Sequence, residues 1–551
     1  MRHAALVAAC LAACAPAAAR AAHHQPPGAN VQYSITETLI SEWLWDNDNG
    51  LGESQQADDY YWDVKSRLNI GMNSPGLDAG LRVDATTFRW FMPGWLGGGT
   101  ETERARREAS WYDRHGSRPE ADGSYPHVGD YRLERAWALV DVARDWRLRA
   151  GDFPAQFGRG IALSLRKIDE LGVDNALRGA RIDGRLADRM DVTALAGLVN
   201  VANVNERFNL IAEDPLDLVS GGRVSVDLWG GNRAAVHCVH VDGRAEEVER
   251  GALACGGGIE FFDLPFGISV HAEANALRRT FVAAPDSHGF AAYADVSAGL
   301  GPVRLRAEYK RYDDFVLRST GQDATRTRWE LNHLPFADSA DQLLESPESV
   351  QGGHLRADWQ VADDVGVFAA AAAADGLESD NDLDAVHGYG GVEFYWDDRR
   401  SVVRLSGGYR HTWQSIPTVA DHDDYRVIGY AKLESTVRLL GPLSLSLGVL
   451  HEHFTQWDLG VPAEFDRGTT SLGIDWAGVG GAYAMFEYDT QNQADGVENE
   501  FASGGLHWTQ LDWLSVRARV GSQRGGRKCV SGVCREFPPF DGVRIEMVVR
   551  L

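Results

Sequence analysis

Charged side chains recur at every second position in several stretches of this chain. Arg147 and Arg149 do so, as do Arg181, Asp183 and Arg185, then Arg304, Arg306, Glu308 and Lys310, then Arg517 and Arg519; Arg404, Asp63, Lys65 and Glu546 extend the set. Their chemistry is recognition of anions and polar solutes, because a guanidinium presents a planar fork of donors that matches a carboxylate or a phosphate. Covalent and metal chemistry leave weaker marks. There is no Gly-x-Ser-x-Gly elbow, no His-Glu-x-x-His pair and no phosphate-binding glycine loop. His451 and His453 flank Glu452 and share a face, as a metal pair, an acid–base pair or a polar rim. Acidic stretches at 46–50, 375–384 and 421–424 offer oxygen ligands suited to Ca²⁺, without EF-hand spacing; solvated loops have the same composition. The expectation is no cofactor, no metal site and no catalytic residue.

Six cysteines divide into two groups. Cys10 and Cys14 lie in an apolar N-terminal stretch, and Cys238, Cys255, Cys529 and Cys534 lie far downstream. An even number in an exported chain reads as disulfides. Cys238 and Cys255 flank the 243–253 segment and staple a hairpin; Cys529 and Cys534 lie in one loop and close a small ring. A metal site is the rival, and neither pair has a histidine at zinc-like spacing.

The elements that carry these residues are strands. Val303, Leu305, Ala307 and Tyr309 alternate with Arg304, Arg306, Glu308 and Lys310. A strand sends successive side chains to opposite faces, so this segment has one apolar and one charged side. The same period appears at Trp146–Ala150, Val403–Arg410 and Val516–Val520, and again from Val543 to Leu551. Short turns rich in Gly, Asp, Asn and Pro, such as those at 73–76, 143–145, 187–189 and 441–442, alternate with longer connections. The long ones are expected at 45–59, 92–130, 158–174, 202–216, 243–253, 278–289, 313–352, 375–386, 411–425, 456–464, 489–499 and 524–542.

Segment counting predicts 22 to 24 strands, the weakest near 234–242 and 483–488. Long connections at one end and short turns at the other describe a single transmembrane, antiparallel, up-and-down β-barrel. Strands of about ten residues suffice to cross a bilayer at a tilt, and closure satisfies every backbone hydrogen bond in lipid. Trp43, Trp45, Trp62, Trp90, Trp146, Trp396, Trp476, Trp508 and Trp513 fall near strand ends, where interfacial girdles form; in a soluble β protein they would be core anchors. Arginine facing lipid costs about 2–4 kcal/mol at the midplane. Lys65, Arg147, Arg149, Arg181, Arg185, Arg304, Arg306, Glu308, Lys310, Arg404, Arg517 and Arg519 are therefore assigned to the lumen wall, as a solute-selective passage or as a salt-bridged filling.

Residues 1–22 read as a signal peptide: a basic start at Arg2, an apolar run from Ala4 to Ala15 and small-residue cleavage sites before residue 22. Leu11 to Cys14 also fits a lipoprotein box. Residues 23–32 form a short periplasmic segment and 33–551 the barrel. An even strand number puts both termini in the periplasm, with outer-membrane lipid and the barrel assembly machinery as partners. The formal charge, 54 basic against 79 acidic residues or −25, argues against nucleic acid as a partner. Mean hydropathy is only −0.29, the average of two opposed faces and acidic loops.

The amphipathic last strand, ending at Leu551, resembles those of Gram-negative outer-membrane barrels in general. Phe157-Gly158-Arg159-Gly160, Ser164 through Gly172 and Leu177 through Ala180, with Arg524-Gly525-Gly526, Cys529, Cys534, Arg535 and Pro538-Pro539-Phe540, resemble an uncharacterised porin-like barrel family. The resemblance implies a full-length barrel and no particular substrate. An alginate-export type of barrel is a more distant resemblance, in architecture alone.

So many strands enclose a wide lumen, and obstruction by in-folded loops is expected. Segments 92–130 and 313–352 are the longest, with helix-like stretches at Glu101–Ala109 and Ser339–Glu345. The 158–174 segment surrounds Ile161, Leu163 and Leu165 with Arg159, Arg166, Lys167, Asp169 and Glu170. It is too apolar for a freely solvated loop and is assigned to a constriction, a short external cap being the alternative. The expected function is a channel for small polar or anionic solutes. The alternatives are an export or surface-binding barrel for an extracellular polymer, and a rim-located hydrolase using His451.

Overall fold

A computed structural model describes residues 31–45, 61–90, 128–171, 173–199, 204–205, 210–211, 217–243, 249–318, 330–335, 349–377, 383–415, 423–458, 461–491, 499–530, 533–537 and 539–551. The N-terminal stretch expected as a signal peptide, with Cys10 and Cys14, the acidic stretch 46–50 and the stretches Glu101–Ala109 and Ser339–Glu345 expected to be helix-like lie outside the described residues. So do residues 378–382 and 416–422, which take in part of each of the other two acidic stretches.

The strands are β1 (Gln32–Leu44), β2 (Tyr61–Ser74), β3 (Leu77–Trp90), β4 (Val128–Ala143), β5 (Trp146–Phe153), β6 (Leu177–Leu186), β7 (Met190–Val199) and β8 (Leu218–Asp227). They continue as β9 (Arg233–Asp242), β10 (Glu249–Leu264), β11 (Ile268–Phe281), β12 (Ser287–Leu300), β13 (Val303–Asp313), β14 (Val350–Ala362), β15 (Val365–Gly376) and β16 (Leu383–Trp396). The last eight are β17 (Ser401–Ser415), β18 (Asp423–Leu440), β19 (Leu443–Asp458), β20 (Val461–Trp476), β21 (Gly480–Asp489), β22 (Glu500–Leu511), β23 (Leu514–Gln523) and β24 (Phe540–Arg550). They form one 24-stranded sheet in which each strand pairs antiparallel with its neighbours in sequence. β24 returns to β1, with Thr36 opposite Arg550 and Leu44 opposite Gly542. The sheet is a closed up-and-down barrel without an edge strand, and the two weakest expected strands are β9 and β21.

Short turns such as Pro75–Gly76, Arg144–Asp145 and Gly441–Pro442 all fall at one end of the barrel, with β1's start and β24's finish. The opposite end carries the longer connections, several of them shorter than expected: 243–253 becomes 243–248, 375–386 becomes 377–382 and 411–425 becomes 416–422. The connection placed at 456–464 shrinks to 459–460, because β19 and β20 run on to Asp458 and from Val461. That placed at 278–289 shrinks to 282–286. Paired backbone extends beyond the apolar band there, and polar residues such as Arg278 and Glu464 lie inside strands rather than between them.

Directly opposed residues of an antiparallel pair share a face. Followed around the ring, the register separates two faces throughout. One carries Leu81, Val140, Val236, Leu305, Leu355, Leu405, Leu472, Leu506, Val520 and Ile545, all exposed. The other carries the charged positions, and a long connection packs against it from within. The apolar face is therefore the outside. Trp359, Trp396 and Trp476 stand on it near the short-turn end, and Trp43 stacks on Trp62 near the other.

Candidate functional site

Between β5 and β6 the chain turns into the barrel. Ala155–Phe157 pairs with Leu163–Leu165, and Lys167–Ile168 pairs with Val173–Asp174 around a short helical turn at Asp169–Leu171. Glycines make the first bend possible. Gly158 and Gly160 have φ of 58° and 98°, a region L side chains seldom adopt. A Cβ on Gly158 would also collide with the Glu273 carboxylate. That carboxylate, on the inner face of β11, accepts the Arg159 N–H at 2.8 Å.

The middle of this segment is an apolar core inside the barrel. Phe157, Ile161, Ala162, Leu163 and Leu165 are buried with Leu195, Val219, Val239, Ala254, Leu277, Tyr293 and Tyr312 from the wall. Each such side chain withdrawn from water contributes about 1.5–3 kcal/mol. Part of the β13–β14 connection completes the layer. Ser164 N–H donates to the Leu331 carbonyl at 2.7 Å and His333 N–H to the Gly160 carbonyl at 2.9 Å. The Asn332 amide donates to the Ile161 carbonyl and accepts from Leu317 N–H, both at 2.9 Å. Asn175 donates to the Ser164 and Glu330 carbonyls at 3.0 and 2.6 Å and accepts from Arg166 N–H. Two buried carboxamides thus satisfy backbone groups that no ladder reaches.

To the neighbouring strands β3 and β4 the same segment is tied by charge. Lys167 Nζ lies 2.5 Å from Glu134 Oε1 on β4 and 2.9 Å from Asp174 Oδ2. Arg82 on β3 meets Asp169 at 2.8 Å while holding Asp84 at 2.6 Å. Burial alone would lower the Lys167 ammonium; Asp174 and Glu134 outweigh it and hold the group above its ordinary value. Burial pushes the Asp169 carboxyl up, yet Arg82 and Lys167 keep it below the usual carboxylate range. Burial, with the Arg166 guanidinium nearby, pushes His333 down to about 4.

From β3 and β4 on one side to β11 on the other, the segment bridges a third of the ring. The expected constriction residues therefore have different duties. Lys167 and Asp169 make the ionic ties, Arg159 contributes its backbone N–H, Arg166 lies half-buried beside Asn175, and Glu170 is exposed on the helical turn.

The register places each expected lumen residue on the inner face. Lys65 is opposite Ile40, Arg147 opposite Asp183, Arg149 opposite Arg181, and Arg185 opposite Asp191. Arg304, Arg306, Glu308 and Lys310 face Asp358, Arg356, His354 and Gly352. Arg404 lies between Glu393 and Glu434, Arg517 between His507 and Glu546, and Arg519 beside Arg544. They are not equally open. Glu134, Glu273 and Glu308 side chains are 2, 1 and 5% exposed, under or beside the in-folded layer. Glu434 and Arg517 are 44 and 72% exposed. Arg185 on β6 and Arg306 on β13 are open to a similar degree, at 44 and 48%.

Outward positions hold Cys238, Cys255, His451 and His453. Cys238 and Cys255 are opposed on β9 and β10 and joined as a disulfide on the outer face. Cys529 and Cys534 are opposed in a hairpin of Gly526–Val530 with Val533–Phe537; the side chains of 527–538 lie outside the described residues. His451 and His453 point outward at the end away from the short turns, with His451 Nδ1 2.6 Å from the Tyr488 hydroxyl and His453 Nδ1 2.9 Å from Asp466. The histidine pair thus sits on the outside rim and not in the lumen. Among the described residues no group of three or more His, Cys, Asp or Glu side chains is placed to hold a metal ion. Arg82, Glu134, Glu273, Asn175 and Asn332 escape sequence reasoning; each is an ordinary polar residue whose partner is remote in the chain.

The chain is similar to the siderophore receptor PirA from Pseudomonas aeruginosa, at 10% identity and a TM-score of 0.46, over 96% of this chain and 81% of that one. It is similar to the P pilus usher PapC translocation pore at 9% identity and 0.43, over 94% and 99%. The FrpB iron transporter from Neisseria meningitidis follows at 10% and 0.43, over 94% and 81%. No curated protein matches the sequence. Residues 125–210, the stretch that builds β4 to β7 and the in-folded segment between them, match a family of unknown function (DUF6029).

Proposed function

We propose that this protein is an outer-membrane channel through which small polar or anionic solutes pass along the side of the lumen that the in-folded layer leaves open. The observation that carries the reading is the pairing of an apolar outer wall with a charged inner wall, part of which the 154–176 segment covers. An apolar belt closed on itself has no reason to exist in water, and a wide lumen lined by charge has none in a sealed barrel. On this reading residues 1–22 direct export, outer-membrane lipid surrounds the belt, the barrel assembly machinery inserts it, and both termini lie in the periplasm with the short turns.

Refolded protein in a planar bilayer should give discrete conductance steps, larger when residues 160–172 are deleted. Absence of conductance from a barrel that still shows a heat-modifiable gel shift refutes passage; polymer binding without conductance would favour the export or surface-binding alternative.

A further inference from the structure

Most arginines on the inner wall are neutralised by a carboxylate. Arg306 meets Asp295 and Glu308, Arg356 meets Asp358, Arg233 meets Asp227, and Arg544 meets Glu42. One group on β4, β5 and β6 departs from this. Arg149 stands directly opposite Arg181, an arrangement in which like charges repel. Its guanidinium lies over the Trp137 ring at 4.9 Å and within electrostatic reach of Arg135 as well as Arg181. Arg181 is engaged by Asp183 at 2.8 Å and by the Pro154 carbonyl at 3.0 Å. Among the described residues neither Arg135 nor Arg149 has a hydrogen-bond acceptor or an ion-pair partner within 4 Å, and Arg135 Nε is buried without one. Asp78 and Asp183 are the acids that act on Arg149, and Asp183 is already shared with Arg181 and Thr193. Elsewhere Arg223 stands between Thr193 and His237 and Arg410 between His387 and Ile428, while Arg519, opposite Arg544, donates to Gln523 at 2.6 Å.

A buried guanidinium nitrogen without an acceptor, as in Arg135, carries its full desolvation cost, and the like charges of Arg149 and Arg181 beside it raise that cost further. A wall that served only to fill the lumen would pair them, as it does elsewhere. We propose that Arg135 and Arg149, with Arg181, form a binding station for the oxyanion of a solute, a carboxylate or a phosphate, at the foot of the in-folded segment. This rests on the channel reading and adds the chemical class of what the channel takes. Trp137 fixes the Arg149 fork against the wall, so its free edge faces the lumen, and Arg181 links the station through Pro154 to the start of the constriction.

The test uses the full-length barrel in detergent and in bilayers. Inorganic phosphate and galacturonate are titrated by calorimetry, with galactose as the neutral control. Arg149→Gln and Arg135→Gln should each weaken anion binding about tenfold, the usual size for losing a charge-assisted bond. Arg149→Lys, which keeps the charge but not the fork, should restore part of it. Anion binding equal in wild type and both Gln variants, or absent at 10-fold above about millimolar anion, overturns the proposal. Conductance without anion binding also overturns it while leaving the channel reading intact. Anion binding lost in the variants, in a barrel that does not conduct, supports the station and removes the channel.

Discussion

Lys167 is the point at which the in-folded segment can be tested with a single atom group. Its ammonium bridges Glu134 on the wall and Asp174 within the segment, whose side chains are 2 and 7% exposed. Lys167→Met keeps the aliphatic stem and removes the charge, leaving two carboxylates close together and out of water. Breaking a buried ion pair from one side costs about 3–5 kcal/mol. At 1.4 kcal/mol per factor of ten, that shifts the docked-to-undocked ratio by roughly 10² to 4 × 10³. Adding Glu134→Gln removes one of the stranded charges and should recover part of the loss. The readout is labelling of a Leu163→Cys side chain by a membrane-impermeant maleimide, since Leu163 is fully buried in the docked layer. Labelling should be slow in the otherwise native barrel, fast with Lys167→Met and intermediate in the double variant, with single-channel conductance rising in the same order. Unchanged labelling and unchanged conductance with Lys167→Met would refute the ionic tie and leave apolar packing as what holds the segment.

Gly158→Ala should also undock the segment, because positive φ and the approach of Glu273 both exclude a Cβ; faster Leu163→Cys labelling checks it. Acid should open the barrel. The docked His333 has its pKa pushed below the ordinary 6.5 to about 4, so docking binds fewer protons and is fully stable above about 6.5. The contribution is lost as pH falls from there through 4, up to about 3 kcal/mol. Conductance recorded between pH 7 and 4.5 should rise, and His333→Gln should flatten that rise. Non-reducing peptide mapping should recover Cys238 linked to Cys255; a free thiol at both positions contradicts the outer-face bridge. Asn332→Ala strands the Leu317 N–H and the Ile161 carbonyl together, and should cost about 1–3 kcal/mol of docking, seen as increased hydrogen exchange at Leu317.

The barrel was legible because its signal is local. Alternation at Val303–Lys310 or Val543–Arg550 needs only neighbours two apart, and the turn residues between strands state their own geometry. β9 and β21, with small residues and little contrast, are what left the expected number between 22 and 24. The lengths of the outer connections were less legible. Polar residues such as Arg278 and Glu464 can stand in a paired strand once it has left the apolar band, and composition does not distinguish that from a loop. The 158–174 segment betrayed itself by Ile161, Leu163 and Leu165, which have no place in water. Its partners did not. Glu273 is more than a hundred residues from Arg159, and Asn332 lies in a polar stretch with no periodicity.

Sequence alone determined that the chain is all strand, that its strands have one apolar and one charged side, and which residues stand on each. Strand geometry makes that a property of the chain itself. Only the tertiary structure decided which charges are open and which are covered, which arginines find a carboxylate, and that Lys167 meets Glu134. Those are distances across a closed ring of 24 strands. Glu134 on β4 and Glu273 on β11 come to share a partner segment only because that segment enters the ring, and no spacing in the sequence records that.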